Sequence, residues 1–304
     1  MHNLRIVWLS RIALIVVILC LSVGCLREKR SGCSEGLFLK FRYVMADDLR
    51  MNPEFPETDH LSVFIFDGNG LFVCEKKDSA VQISSGYTMQ LPFYEGKYQF
   101  VVWSGLSDSY EIPSCIAGQT RIENFSLQLK READNRVSTL PPLLYYGRQE
   151  AITLTPDRTQ EVTIGLRRIT NTIRVIIHAP GVETPPQVSI HDNNGSYNYC
   201  GELMADELME YSPHYTQSPD LPGTWIADFN VMGLHDDSDA QLTVSQPDGE
   251  LQYDEKLVKG LLGANPNINF NRDHDFTIEI TFNDYYIPVS ILVNDWEIII
   301  EDIN

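Results

Sequence analysis

The sequence predicts an all-β protein, two β-sandwiches in tandem behind an export signal, and three observations carry that prediction. First, from Leu37 onward apolar residues recur at every second position in short runs, the period of a half-buried strand. Second, Gly, Pro, Asn and Asp separate those runs at intervals typical of antiparallel sheets. Third, the helical period is nearly absent after the first 24 residues, with short helical turns expected only over 256–262 and 204–210.

The chain opens with Arg5 and Arg11, an apolar run from Ile12 to Leu21, and Ser22-Val23-Gly24-Cys25, the parts of a signal peptide over residues 1–24. The apolar core of roughly a dozen residues is short of the ~20 a spanning helix needs. Basic residues follow at once in Arg27, Lys29 and Arg30. Small residues before a cysteine at the end of such a run resemble a bacterial lipobox, which makes Cys25 the expected lipidation site and residues 25–35 a lipidated tether. Ser22 stands where a branched aliphatic is usual and Leu21 lies one place further back, while Cys20, preceded by Leu19, fits less well. The plainer alternative is an ordinary cleavage site that happens to precede a cysteine. Acyl chains contribute ~0.8 kcal/mol per buried methylene, so a multiply acylated Cys25 holds a protein on a membrane without a spanning helix.

Removing residues 1–24 takes away two arginines and no acid, which moves the net charge from -19 to -21. That field repels phosphate backbones, and no Lys/Arg cluster interleaved with aromatics offsets it, so nucleic acid is excluded as a partner. A solubilising surface is the simplest use of the charge. Four cysteines remain besides Cys20 and Cys25: Cys33, Cys74, Cys115 and Cys200. They allow three disulfide connectivities and the sequence does not choose among them. No CxxC pair supports a structural zinc.

The elements follow in order. Leu61–Phe66, the turn Asp67-Gly68-Asn69-Gly70 and Leu71–Val73 form a hairpin. Gly96–Trp103 is a strand ending in an aromatic, and Phe125, Leu127 and Leu129 alternate on the next. Tyr145–Gly147, Ala151–Leu154 and Val162–Leu166 complete a first block, placed at 36–167. In the second block, 168–304, Thr172–Ile177 is a long strand stopped at Pro180. Val188–Ile190 and Tyr197–Tyr199 flank Asn193-Asn194-Gly195 as an expected hairpin. Trp225–Val231, Leu242–Val244, Leu251–Tyr253, Phe276–Phe282, Val289–Val293 and Trp296–Ile300 follow. Tandem sandwiches are the expectation, with closed barrels compatible with the same periodicity.

Catalytic signatures are missing from the sequence. There is no GxSxG elbow and no HExxH or other paired histidine spacing among His178, His191, His214, His235 and His274. His235-Asp236-Asp237-Ser238-Asp239 lacks the glycine and distal glutamate of an EF-hand loop and reads as a solvated acidic turn. Glycoside hydrolysis needs two facing carboxylates, which no linear pattern reveals. The expectation is no catalytic residue, no metal and no cofactor. Trp103, Trp225 and Trp296 with Tyr145, Tyr146, Tyr197 and Tyr199 are core aromatics or, alternatively, a sugar-stacking platform.

In this order the pieces resemble the FimB/Mfa-type minor fimbrial subunits of Bacteroidales. They are the Cys25 lipobox with its charged stretch and Cys33, Leu61–Gly70, Gly96-Lys97-Tyr98 leading into Val101-Val102-Trp103, Leu144-Tyr145-Tyr146-Gly147, the strands around Asn193–Gly195, and Val293-Asn294-Asp295-Trp296. The resemblance implies two transthyretin-like sandwiches held on the outer membrane by lipid. It also implies contact with a fimbrial shaft subunit by exchange or addition of a strand, which works because an unpaired edge offers free N–H and C=O groups. Ile287–Ile300 is either a donated strand or the ordinary last strand of the second sandwich. Shaft-forming members of that family are cut by a protease; nothing in this sequence identifies a dedicated cleavage site, and Arg167-Arg168 is one on paper only. A surface glycan-binding lipoprotein is the alternative reading.

Overall fold

A computed structural model describes residues 36–44, 58–81, 86–156, 158–179, 183–218, 221–246, 248–283, 285–294 and 296–298. The expected signal peptide and tether, with Cys20, Cys25 and Cys33, lie outside the described residues. Residues 36–304 cluster as one compact unit. The all-β reading holds: strands, numbered β1 to β22 in chain order, dominate, and the described residues contain one α-helix, α1 (Leu257–Ala264).

The first sandwich is a single seven-stranded sheet folded on itself. Its order is β3 (Phe72–Val81), β2 (Thr58–Asp67), β5 (Gly96–Ser104), β9 (Tyr145–Leu154), β10 (Gln160–Arg168), β1 (Leu37–Tyr43) and β4 (Thr88–Leu91). Only two residue pairs, Arg167 with Tyr146 and Arg168 with Tyr145, join β9 to β10. The sheet turns its corner there, because Leu61, Val63 and Ile65 of β2 share one core with Leu37, Leu39, Phe41 and Tyr43 of β1. β1 lies parallel to β10 along its whole length and antiparallel to β4. Its strict alternation of buried and half-buried positions is the sequence period made visible. The β2–β3 turn is held by Asp67, whose Oδ1 accepts from the backbone N–H of Asn69 (2.8 Å) and Leu71 (2.9 Å), while Gly70 takes φ 78°.

The second sandwich sets β16 (His214–Gln217), β17 (Thr224–Met232), β11 (Thr170–His178), β20 (Asp275–Phe282), β21 (Pro288–Val293) and β22 (Trp296–Ile298) against a second sheet. That sheet runs β19 (Leu251–Lys256), β18 (Gln241–Ser245), β12 (Gln187–Asp192), β15 (Met209–Tyr211) and β8 (Arg136–Val137). Ile173, Val175 and Ile177 meet Val188, Ile190 and Leu242 in the shared core, which α1 completes with Leu257, Val258 and Leu261.

Between the sandwiches runs a four-stranded sheet: β14 (Leu203–Met204), β13 (Ser196–Asn198), β7 (Ser126–Leu129) and β6 (Tyr110–Glu111). It covers Phe64, Phe66, Val101 and Trp103 on the outer face of the first sandwich, so those side chains join the core of the second. Strands from the first block thus pair with strands from the second, β7 with β13 and β8 with β15.

Two local expectations are corrected. Asn193–Gly195 is not a hairpin turn, since β12 pairs with β15 and β18 while β13 pairs with β7 and β14. The segment is a corner between sheets, fixed by buried Asn194, whose Nδ2 donates to the carbonyls of Met232 (3.3 Å) and Gly233 (3.1 Å) and whose Oδ1 accepts from Tyr211 (2.9 Å). Residues 204–210 are not helical. Met209 and Tyr211 are buried on either side of half-buried Glu210, a strand period that places both side chains in the core.

Candidate assembly surfaces

A sheet can extend only through its edges, and the sheet ends here are unequal. β6, β8 and β14 are two-residue strands, β22 has three residues, β4 and β16 have four, and β19 has six. β3 is the long one, ten residues with β2 on one side only. Its outer edge is engaged at its first residue, where Phe72 donates to the Thr120 carbonyl and accepts from Gly118. Beyond that no strand among the described residues pairs with it. Exposed Lys76, Lys77 and Asp78 sit along this edge, charges that discourage indiscriminate pairing. Beside it a cleft of about 570 Å³ opens between Ser62, Phe64 and Glu75 of the hairpin and Leu106, Ile112 and Cys115 of the covering segment.

Of the two readings of the terminal segment, the pairing matches an ordinary last strand over the described residues. β21 pairs with β20 from Ile278–Val293 to Phe282–Pro288, and β22 pairs back onto β21. Over residues 288–298 the chain is therefore the closing hairpin of its own sheet, and residues 299–304 lie outside the described ones. Tyr285, Ile287 and Val289 are exposed near its turn.

The other sequence candidates resolve into structure. Trp103, Trp225, Tyr145, Tyr146 and Tyr197 are buried and Tyr199 lies under the Arg148 guanidinium, 5.0 Å from its ring centre, so these rings form no exposed stacking face. The Trp296 ring lies outside the described residues. Cys74, Cys115 and Cys200 are free thiols. Burial pushes the thiols of Cys74 and Cys115 up, which lowers their thiolate fraction at neutral pH. His178 bridges Thr224 (2.9 Å) and Glu279 (2.7 Å) across three strands. Among the described residues no group of three His, Cys, Asp or Glu is placed to hold a metal. Arg167 and Arg168 belong to β10 and are half-buried, and Arg168 donates to the carbonyl of Thr170, to Thr172 and to Asp275. A protease needs an extended, free segment and does not find one here.

Beside the acidic turn at 235–239, Asp192 is buried with Oδ1 accepting from Asn193 N–H and Oδ2 lacking a hydrogen-bond partner. Burial, the largest influence, pushes its carboxyl up to about 6, with Asp239 adding to the rise and the Asn193 N–H, His235 and Lys256 opposing it. The folded state binds this proton more tightly than the unfolded chain, whose value is 3.8. The penalty is absent below about pH 4, grows as pH rises through about 6, and is constant above. Asp192→Asn is therefore expected to flatten the stability profile between about pH 4 and 7 and to add about 1–3 kcal/mol at neutral pH. Urea unfolding at both ends of that range checks it. A variant that keeps the wild-type slope assigns the titration to another group.

The comparisons with known proteins agree with this architecture. Residues 30–302 match the family model described as fimbrillin-A associated anchor proteins Mfa1 and Mfa2. The fold is similar to that of a candidate polysaccharide-binding protein of Bacteroides thetaiotaomicron, at TM-score 0.75 and 24% identity over 88% of this chain and 99% of that one. It is similar to the fimbrial anchor protein Mfa2 of Porphyromonas gingivalis, at TM-score 0.71 and 24% identity over 88% and 99%. A candidate adhesin of B. thetaiotaomicron aligns at TM-score 0.70 and 20% identity over 90% and 100%. No curated protein matches the sequence.

Proposed function

The chain belongs to the family of fimbrillin-A associated anchor proteins Mfa1 and Mfa2, and from that premise we propose that it is a lipid-anchored subunit that holds fimbriae on the outer membrane and takes part in their assembly by strand addition. The observation that carries the assembly step is the β3 edge: ten residues, unpaired beyond Phe72 among the described residues and flanked by a cleft of about 570 Å³. An extended segment of a shaft subunit laid along β3 satisfies its free N–H and C=O groups, while alternate side chains enter the cleft. Backbone pairing supplies affinity and the cleft supplies selectivity. The membrane attachment is the acyl chain on Cys25, and the domain division is 36–167 and 168–304. None of these roles requires a catalytic residue or a cofactor.

Purification of the tagged chain from detergent-solubilised outer membranes tests both halves of this reading. Mass spectrometry is expected to find an acylated Cys25 at the amino terminus and a β-rich pilin among the partners. Cys25→Ala is expected to shift the protein from the membrane into the medium, since it removes the acyl chains that hold it there. A photo-crosslinker at Lys77 is expected to capture the pilin, and one at exposed Leu208 is not. Retention of the Cys25→Ala protein on the membrane overturns the lipid anchor. Recovery of bound polysaccharide without pilin favours the glycan-binding alternative, which the neighbouring candidate polysaccharide-binding fold keeps in view.

A further inference from the structure

The dibasic pair that resembles a cleavage site lies instead at a cavity. Where β10 gives way to β11, a pocket of about 310 Å³ opens between the two halves of the chain, at the lower end of the range of small-ligand sites. Ile169, Leu203, Leu234 and Phe270 give it apolar walls, and Arg167, Arg168, Asn271 and His274 give it donors.

These donors are unequal. Arg168 is spent on Thr170, Thr172 and Asp275. Arg167 makes no hydrogen bond or ion pair among the described residues; its guanidinium lies over the Tyr146 ring, 5.6 Å from the centre. That N–H fork matches a planar two-oxygen acceptor. His274 lines the pocket as well; its Nδ1 is buried without a hydrogen-bond partner, which leaves Nε2 as the nitrogen a ligand can reach. Burial and the neighbouring Arg168 hold its imidazole near 4, so it is neutral and able to present an N–H without adding charge. Of the nearby acids, Asp273 pairs with Arg272 and Asp275 with Arg168, while Glu202, on the pocket wall, accepts from the neutral Asn198 amide. In a chain of net charge -19, this seam holds a cation that no acid pairs with among the described residues.

We propose that the seam pocket binds the carboxylate of a small, partly apolar organic ligand of about monosaccharide size, with Arg167 as the forked contact and His274 as a further donor. The carboxylate lies in the plane of the guanidinium, the N–H groups donate to its two oxygens, and the ring or chain behind it rests on Phe270 and Leu234. This inference is independent of the strand-addition reading, since β3 and its cleft share no residue with the pocket.

Calorimetric titration of the detergent-solubilised full chain with glucuronate, glucose and inorganic phosphate tests it. Saturable one-to-one binding of glucuronate is expected, with none of glucose. Arg167→Gln is expected to weaken it at least about tenfold, and Arg167→Lys, which keeps the charge and loses the fork, by a smaller factor. His274→Gln serves as the second variant. Arg167 makes no hydrogen bond or ion pair among the described residues, and Arg167→Lys keeps a cation beside the Tyr146 ring; circular dichroism checks that each variant keeps the fold. Absence of glucuronate binding by the folded wild type, binding undiminished in Arg167→Gln, or binding of phosphate alone each overturns the carboxylate assignment.

Discussion

Trp103→Ala is expected to cost about 3–5 kcal/mol, the range for removing a large buried aromatic. Trp103 is fully buried on the outer face of the first sandwich, with its ring 5.0 Å from Tyr146 and 6.1 Å from Tyr197, a residue of the second half. Deleting it opens a cavity at the junction rather than in one domain, where neither sandwich can relax to fill it alone. Trp103→Phe separates packing from polarity. The indole Nε1 is buried without a hydrogen-bond partner, and leaving a donor unmade costs about 1–3 kcal/mol. Phenylalanine removes that penalty while leaving a smaller hole, so its net cost is expected near 1 kcal/mol. Urea unfolding of the mature chain, followed by far- and near-ultraviolet circular dichroism, measures both. Because Trp103 ties the halves together, one coincident transition is expected in the wild type. Equal losses for the two variants, or two separated wild-type transitions, would sink this account.

What the sequence made legible was local, and what it hid was pairing between distant segments. Leu61–Phe66 followed by Asp67–Gly70 announced a hairpin because period-two alternation and a positive-φ turn are both written in neighbouring residues. Phe276–Phe282 was equally plain. The Asn193–Gly195 corner carries the same turn chemistry as a hairpin, yet Asn194 spends its amide on Met232 and Gly233, contacts 38 and 39 residues away that no local pattern encodes. The interleaving of β7 with β13 was hidden for the same reason. Among the assembly features, the open edge of β3 left a faint trace in the Lys76-Lys77-Asp78 run that ends an otherwise apolar hairpin, a charge guard of the kind edges carry. Arg167 and Arg168 were visible as a pair, but sequence offers no means of telling an exposed dibasic site from two arginines in a strand. Burial separates them: Arg168 anchors the start of β11 and Arg167 faces the seam.

Leu39→Asp is expected to destabilise the protein by more than about 4 kcal/mol, whereas Lys40→Asp next to it costs about 1 kcal/mol or less. Leu39 points into the first core from the middle of β1, with no accessible surface, and faces residues such as Val63, Phe100 and Ile164. A carboxylate there has neither water nor a counter-ion, so it is protonated at a cost or β1 leaves its place. Lys40 points the other way and its exposed ion pair with Glu161 at 2.7 Å contributes little. The contrast tests more than burial. β1 is the first strand after the proposed tether, and it is paired on both sides, seven residues parallel to β10 and four antiparallel to β4. A pull on the tether is then resisted along the whole strand, by hydrogen bonds that must yield together rather than one after another. Unfolding and protease sensitivity of the two variants measure this seating. If Leu39→Asp proves as mild as Lys40→Asp, β1 is not a member of the core, and the strand nearest the membrane anchor is not what transmits force into the fold.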